Sequence, residues 1–253
     1  MRSLQLLMVS TCLTAGLAGA DVVLYDASSG GGTPGAQNMH YLADGAGASQ
    51  SESGGVTTLA SDQATSAGYF NWLSTTVAGF PVTFAAKVPV VLDRSGDGYT
   101  LRFVARLVSE SHASADRAGF SVIALASDGL GIELGFWEDE VWAQSGAAFT
   151  HAEGAAVDTT ATMKLYELAI LGSGYTLYAD GAELLAGALR DYSAHSNDVY
   201  SHTDFVFLGD NTSSAGGTVE LGEIRVLDAA VPEPASLGLL SLGAGALLRR
   251  RRG

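Results

Sequence analysis

Apolar and polar residues alternate with a period of two over much of this chain, and no helical period emerges between residues 21 and 160. Short alternating runs bounded by Gly, Asp, Ser and Pro predict strands joined by turns. The clearest stretch is GFSVIALASDGLGIELGFWEDEVWAQ, residues 119–144. It holds three runs, 120–125, 132–137 and 140–144, divided by Ser127-Asp128-Gly129 and by the pair Glu138-Asp139. Read as a two-residue hairpin, that pair sets Trp137 opposite Glu140, Gly135 opposite Trp142 and Glu133 opposite Gln144. Alternate side chains share a face. Ile132, Leu134, Phe136, Val141 and Ala143 then belong to a core. Glu133, Trp137, Glu140, Trp142 and Gln144 occupy the other face, with Trp142 across the bare backbone of Gly135.

The same reading continues on both sides. Residues 22–25, 55–60, 68–72 and 81–87 are expected strands, while 27–36 and 43–55 are expected loops because they are rich in Gly and Ser. Residues 88–92 and 99–108 are expected to form a hairpin around a turn at 93–98. On its second strand Leu101, Phe103, Ala105 and Leu107 share one face, and Arg102, Val104 and Arg106 the other. Residues 163–171, 174–179, 183–185, 203–208 and 218–227 complete the set, with Asp180-Gly181 a strong hairpin signal. Closely spaced strands without helices between them predict an all-β fold, an antiparallel two-sheet sandwich in one domain over residues 21–230.

The two ends change the picture. Arg2, an apolar run over residues 4–17 and Ala18-Gly19-Ala20 make a signal peptide over residues 1–20, to be cut by signal peptidase after Ala20. The single cysteine, Cys12, lies inside it, so thiol chemistry is absent from the mature chain. At the other end Val231, Pro232, Glu233 and Pro234 precede the apolar run ASLGLLSLGAGALL and then Arg249, Arg250, Arg251 and Arg252. That run is shorter than the ~20 residues of an ordinary spanning helix, and the arginines would hold its end in the cytoplasm. V-P-E-P, short apolar helix and arginine cluster over residues 231–253 resemble the PEP-CTERM sorting signal. The resemblance implies export, inner-membrane anchoring by a short helix, processing by an exosortase, and a final place at the cell surface or in an extracellular matrix.

Residues 21–230 carry eight basic and 26 acidic residues, a net charge of −18. Such a surface repels nucleic acid and anionic lipid, which argues against both as partners. It suits neutral glycans and divalent cations.

Three segments, the 119–144 stretch, YELAILGSGYTLYADGAELLAGALRDYS and FVFLGDNTSSAGGTVELGEIRVL, resemble the concanavalin A-like (laminin-G-like) jelly roll. Its members include lectins, glucanases and adhesion modules. Laminarinase-type members carry E-x-D-x-x-E or E-x-D-x-E on one strand; here Gly135 stands two residues after Glu133, and Glu138-Asp139-Glu140 are contiguous. No catalytic residue is therefore assigned, and the chain is expected not to be an enzyme.

Two tryptophans beside carboxylates and an amide make the chemistry of a sugar platform. Trp137, Trp142, Glu133 and Gln144, with Arg102 and Arg106 alongside, are the expected glycan-binding residues, and a polysaccharide the expected partner. The plainer use of Arg102 and Arg106 is pairing with acidic neighbours such as Glu133. Asp93, Ser95 and Asp97 open like a calcium loop, but position twelve is Val104 where an EF-hand needs glutamate. They stand as a candidate structural calcium site against a simple Asp/Gly turn, with Asp210 and Asn211 a second oxygen cluster. A glycan-binding module and a purely structural matrix protein both stay open.

Overall fold

Alternating runs become pleated strands because each can bury one face, and two such faces closed on one another make a core. The computed structural model describes residues 21–230 apart from Ala78 and Ala147. The expected signal segment with Ala18 and Ala20, and the sorting segment from Val231 to Arg252, lie outside the described residues.

The first sheet runs β15 (Ala182–Ala188), β14 (Gly174–Ala179), β13 (Lys164–Leu171), β8 (Tyr99–His112), β18 (Ala215–Leu227), β4 (Val56–Ala60) and β3 (Ser49–Ser53), with β1 (Val22–Asp26) also on β18. The second runs β12 (His151–Ala156), β11 (Glu140–Gln144), β10 (Leu130–Phe136), β9 (Ser121–Leu125), β17 (Phe205–Asp210), β5 (Ser66–Phe70) and β2 (His40–Asp44), with β16 (Arg190–Asp191) on β10. A separate hairpin joins β6 (Leu73–Val77) to β7 (Phe80–Phe84). Pairing within both sheets is antiparallel. Helix is confined, among the described residues, to one-turn 3-10 pieces at Ala27–Ser29, Pro34–Ala36 and Asp198–Ser201. The all-β two-sheet sandwich is the fold of the protein.

The core between the sheets takes Leu101, Phe103, Ala105 and Leu107 from β8, and Ile132, Leu134, Phe136, Val141 and Ala143 from β10 and β11. These are the faces that alternation selects. A second apolar cluster lies on the outside of the second sheet, where Ile123, Leu125, Phe205 and Phe207 meet Tyr192 and Tyr200 from the loop before β17. The second sheet is thus buried on both sides.

Several boundaries differ from the sequence reading. Residues 88–92 do not pair with β8. Both edges of β8 are already taken, by β13 and β18. Pro89 lacks a donor, and the Leu92 N–H donates instead to the Asp204 carboxylate at 2.7 Å. The expected loop at 43–55 contains β3 and the end of β2, and β6 and β12 arise where no strand was expected. These pieces lie at sheet edges or in the separate hairpin. Such strands hold on by main-chain pairing with little side-chain burial, so no apolar alternation marks them.

Candidate functional site

The β10–β11 hairpin closes as counted. Trp137 N–H donates to Glu140 O at 2.8 Å, leaving Glu138-Asp139 at the tip. The pairs Leu134–Ala143, Gly135–Trp142 and Phe136–Val141 follow. A Cβ on Gly135 would come within 2.6 Å of the Trp142 indole, so the glycine is what lets that ring lie flat on the strand.

The face so formed is covered, and this corrects the expectation of an open platform. Trp142, Glu133 and Gln144 are 1%, 4% and 1% exposed. His151 stacks on Trp142 at 4.5 Å. Tyr192 reaches down to take the Glu133 N–H and to donate to Gln144 O. Tyr200 donates to Glu133 Oε2 at 2.6 Å, and Asn211 Nδ2 to Oε1 at 3.1 Å. Burial pushes the Glu133 carboxyl above the usual carboxylate range, only partly offset by these donors. A residue pattern that suits a sugar platform equally suits a polar seam beneath a loop; which one forms depends on segments 60 residues away in sequence.

Arg102 and Arg106 do not sit beside the tryptophans. They lie on β8, in the opposite sheet, with the core between. Arg102 meets Glu167 at 2.8 Å and Arg106 meets Glu220 at 2.7 Å. Both partners are cross-strand neighbours, Glu167 opposite Arg102 and Glu220 opposite Arg106. Pairing with acidic neighbours is their role, through Glu167 and Glu220 in place of Glu133.

Asp93, Ser95 and Asp97 lie in the exposed turn that precedes β8. Asp93 Oδ1 is committed to Ser95 N–H at 2.8 Å, a local turn that holds the carboxyl below its ordinary range. No group of three metal-binding side chains gathers among the described residues. Asp210 and Asn211 likewise diverge: Asp210 binds Ser61 and Thr212, whereas Asn211 turns to Glu133 and Tyr200.

Of the four residues expected on this face as a platform, Trp137 does reach solvent. Trp137 is half-buried and lines an open cleft of about 770 Å³ with Glu110, His112, Glu138, Asp139, Asp158 and Thr160. His112 stacks on the Trp137 ring at 4.3 Å with the planes 12° apart, and the indole N–H donates to Arg117 O at 2.9 Å. The His112 imidazole meets Glu110 Oε2 at 2.9 Å, and Glu110 Oε1 also accepts Gly119 N–H. Burial pushes the Glu110 carboxyl up despite these bonds. Glu138 Oε1 accepts Glu110 N–H, and Asp158 Oδ1 gathers Thr160 N–H, its hydroxyl and Ala161 N–H. Thr159 ties the far wall to the hairpin through Trp137 O and Glu138 O. Of the cleft's residues the sequence reading singled out Trp137 and noted the acidic pair at the tip. Glu110 and His112, two apart at the end of a long strand and hence on one face, were the missed signal.

Residues 230–252 match the PEP-CTERM protein-sorting motif. No curated protein matches the sequence. The fold is similar to that of a carbohydrate esterase from the Shiga toxin-encoding bacteriophage phi24B, at 15% identity and a TM-score of 0.53, over 83% of this chain and 100% of that one. It is also similar to a galectin-like protein of unknown function from Bacillus subtilis, at 11% identity and a TM-score of 0.44, over 76% and 90%. The VIP36 exoplasmic/lumenal domain, solved with Ca2+ and Man3GlcNAc, matches at 9% identity and a TM-score of 0.42, over 78% and 87%. The chain therefore carries a PEP-CTERM signal, which marks it for export, behind an all-β two-sheet sandwich.

Proposed function

We propose that this chain is an exported, exosortase-processed surface module whose sandwich displays a non-catalytic glycan-binding cleft, with exopolysaccharide as its partner. The carrying observation is the open cleft around Trp137, where an indole backed by His112 stands among Glu110, Glu138, Asp139 and Asp158. An aromatic edge takes the apolar face of a sugar ring, and carboxylates accept its hydroxyls. Four carboxylates with no arginine in the lining disfavour uronates and favour neutral or amino sugars. Covering the exposed part of the indole contributes ~25 cal/mol per Å² of apolar area buried, less the cost of ordering the ligand. Affinity for one sugar unit is accordingly weak, and repetition along a polymer supplies the avidity. In the same reading the apolar run after Pro234 anchors the chain in the inner membrane until an exosortase acts.

The test is affinity electrophoresis through gels containing neutral, amino or uronate polysaccharides. Wild type should be retarded by the first two classes. Asp139→Ala and Thr160→Ala, which leave the hairpin folded, should each lose most of that retardation. Absence of retardation in every gel would leave a purely structural matrix protein. A hydrolytic reading draws on one observation, the raised Glu110 carboxyl beside Glu138. The bonds to His112 and Gly119 that already occupy Glu110 support the binding reading instead. Release of reducing ends from the retarding polysaccharide, lost in Glu110→Gln, would favour hydrolysis.

A further inference from the structure

The two ends of the sandwich differ, and β8 spans the distance between them. Its fourteen residues put Tyr99 and His112 roughly 40 Å apart at ~3.3 Å per residue. The Trp137 cleft lies at the His112 end. At the Tyr99 end the chain leaves the domain. Ala230 N–H donates to Asp97 O at 2.7 Å, and the Thr100 hydroxyl donates to Ala229 O at 2.6 Å. Gly98, at φ +69°, packs so closely that a Cβ there would lie 2.8 Å from the Ala230 methyl and clash with Ile170 O. The fold therefore grips the chain up to the first residue of the sorting motif, which spans 230–252. Four residues, Val231 to Pro234, separate that grip from the apolar run. Five peptide steps reach at most ~18 Å.

The same end carries apolar side chains with no cover. Val91 is 68% exposed and Leu171 53%. Leu171 belongs to the turn bonded to Arg94 through Gly172, and Arg94 in turn pairs with Asp128. Asp93, Arg94 and Asp128 line a shallow hollow with Gly172, next in sequence to Leu171.

We infer that the sandwich end built from residues 91–98, 127–129, 171–174 and 228–230 lies against the bilayer surface while the tail is inserted, so that the Trp137 cleft points outward. This rests on the anchoring reading above. The tether keeps this end within ~18 Å of the start of the apolar run. Val91 and Leu171 offer apolar contact at headgroup depth, and the aspartates match the ammonium groups of zwitterionic lipid while repelling anionic lipid. The domain thus acts as a fixed spacer that carries its cleft about one strand length above the membrane.

The test uses the full mature chain reconstituted in phosphatidylcholine vesicles. With no cysteine after Cys12, single labels can be placed by Leu171→Cys, Val91→Cys and, at the cleft end, Ala161→Cys. Spin-labelled lipid should quench a fluorophore at 171 and 91 and leave one at 161 untouched. A long Gly/Ser linker inserted between Ala230 and Val231 should abolish the quenching at 171. Equal quenching at 171 and 161 would overturn the orientation, as would quenching that survives the linker. Protection from aqueous iodide at 171 without lipid quenching would indicate a second copy of the chain there, and would also overturn it. Flotation of the chain with the vesicles is scored separately. Failure to float removes the anchoring reading, and the orientation with it; flotation without differential quenching removes the orientation alone.

Discussion

Trp142 and Gly135 show how one missing side chain shapes a surface. The indole needs the bare backbone beneath it, and Gly135→Ala would set a methyl 2.6 Å from its ring. Overpacking of this kind costs about 1–3 kcal/mol, which urea denaturation of the variant would report. Glu133 depends on neighbours in a different way. Buried among apolar rings, it keeps Tyr200 and Asn211 as its donors. Tyr200→Phe retains the ring packing and removes only the hydroxyl, so a loss of about 1–3 kcal/mol is expected from Glu133 Oε2 left without its donor. Rescue of that loss by Glu133→Gln would identify the charge as its source.

At the scale of elements, β17 is the strand that ties the sheets by chemistry as well as by packing. Its last residue, Asp210, reaches out of the second sheet to Ser61, just after β4 of the first, at 2.7 Å. Burial pushes the Asp210 carboxyl up to about 7, against the lowering effect of Ser61 and Thr212. A folded-state value above the unfolded one means the native state binds the proton more tightly. The contribution to stability is then complete below about pH 4 and is lost as pH rises through about 7. Glu110 and Glu133 are raised by burial and act in the same direction. Exposed turn carboxylates such as Asp93 and Asp158 are lowered, so theirs is lost only in strong acid, outside this window. The domain should therefore melt at a higher temperature at pH 5 than at pH 8. Asp210→Asn should flatten much of that slope; an unchanged slope would mean Asp210 is solvated in the native state.

For the molecule as a whole, charge and polarity of the two ends matter most. A domain of net charge −18 repels itself, and its exposed ion pairs are worth little individually. Added sodium chloride should raise the melting temperature at neutral pH by screening that repulsion. A fall with salt would show that the pairs on the outer face of the first sheet, Arg102–Glu167 and Arg106–Glu220, outweigh it.

What the sequence determined by itself is what repeats or stays local. Alternation set the faces of β8, β10 and β11, since a period of two leaves one choice of inside. Two residues between Trp137 and Glu140 set the hairpin register, and V-P-E-P with its apolar run and arginines set the address. Only the tertiary structure decided what covers each face. Glu133 meets Tyr192 and Tyr200 because a loop some 60 residues downstream folds over it, and Trp142 meets His151 of β12 because that edge strand pairs with β11. Arg102 and Arg106 found Glu167 and Glu220 because of strand order, which no local pattern encodes. Edge strands such as β3 and β12 stayed invisible because main-chain pairing holds them and side-chain burial does not. The cleft, likewise, exists only where the end of β8 meets the tip of a hairpin and the segment after β12. Its residues come from three separate parts of the chain, and their chemistry becomes one site only when the sandwich closes.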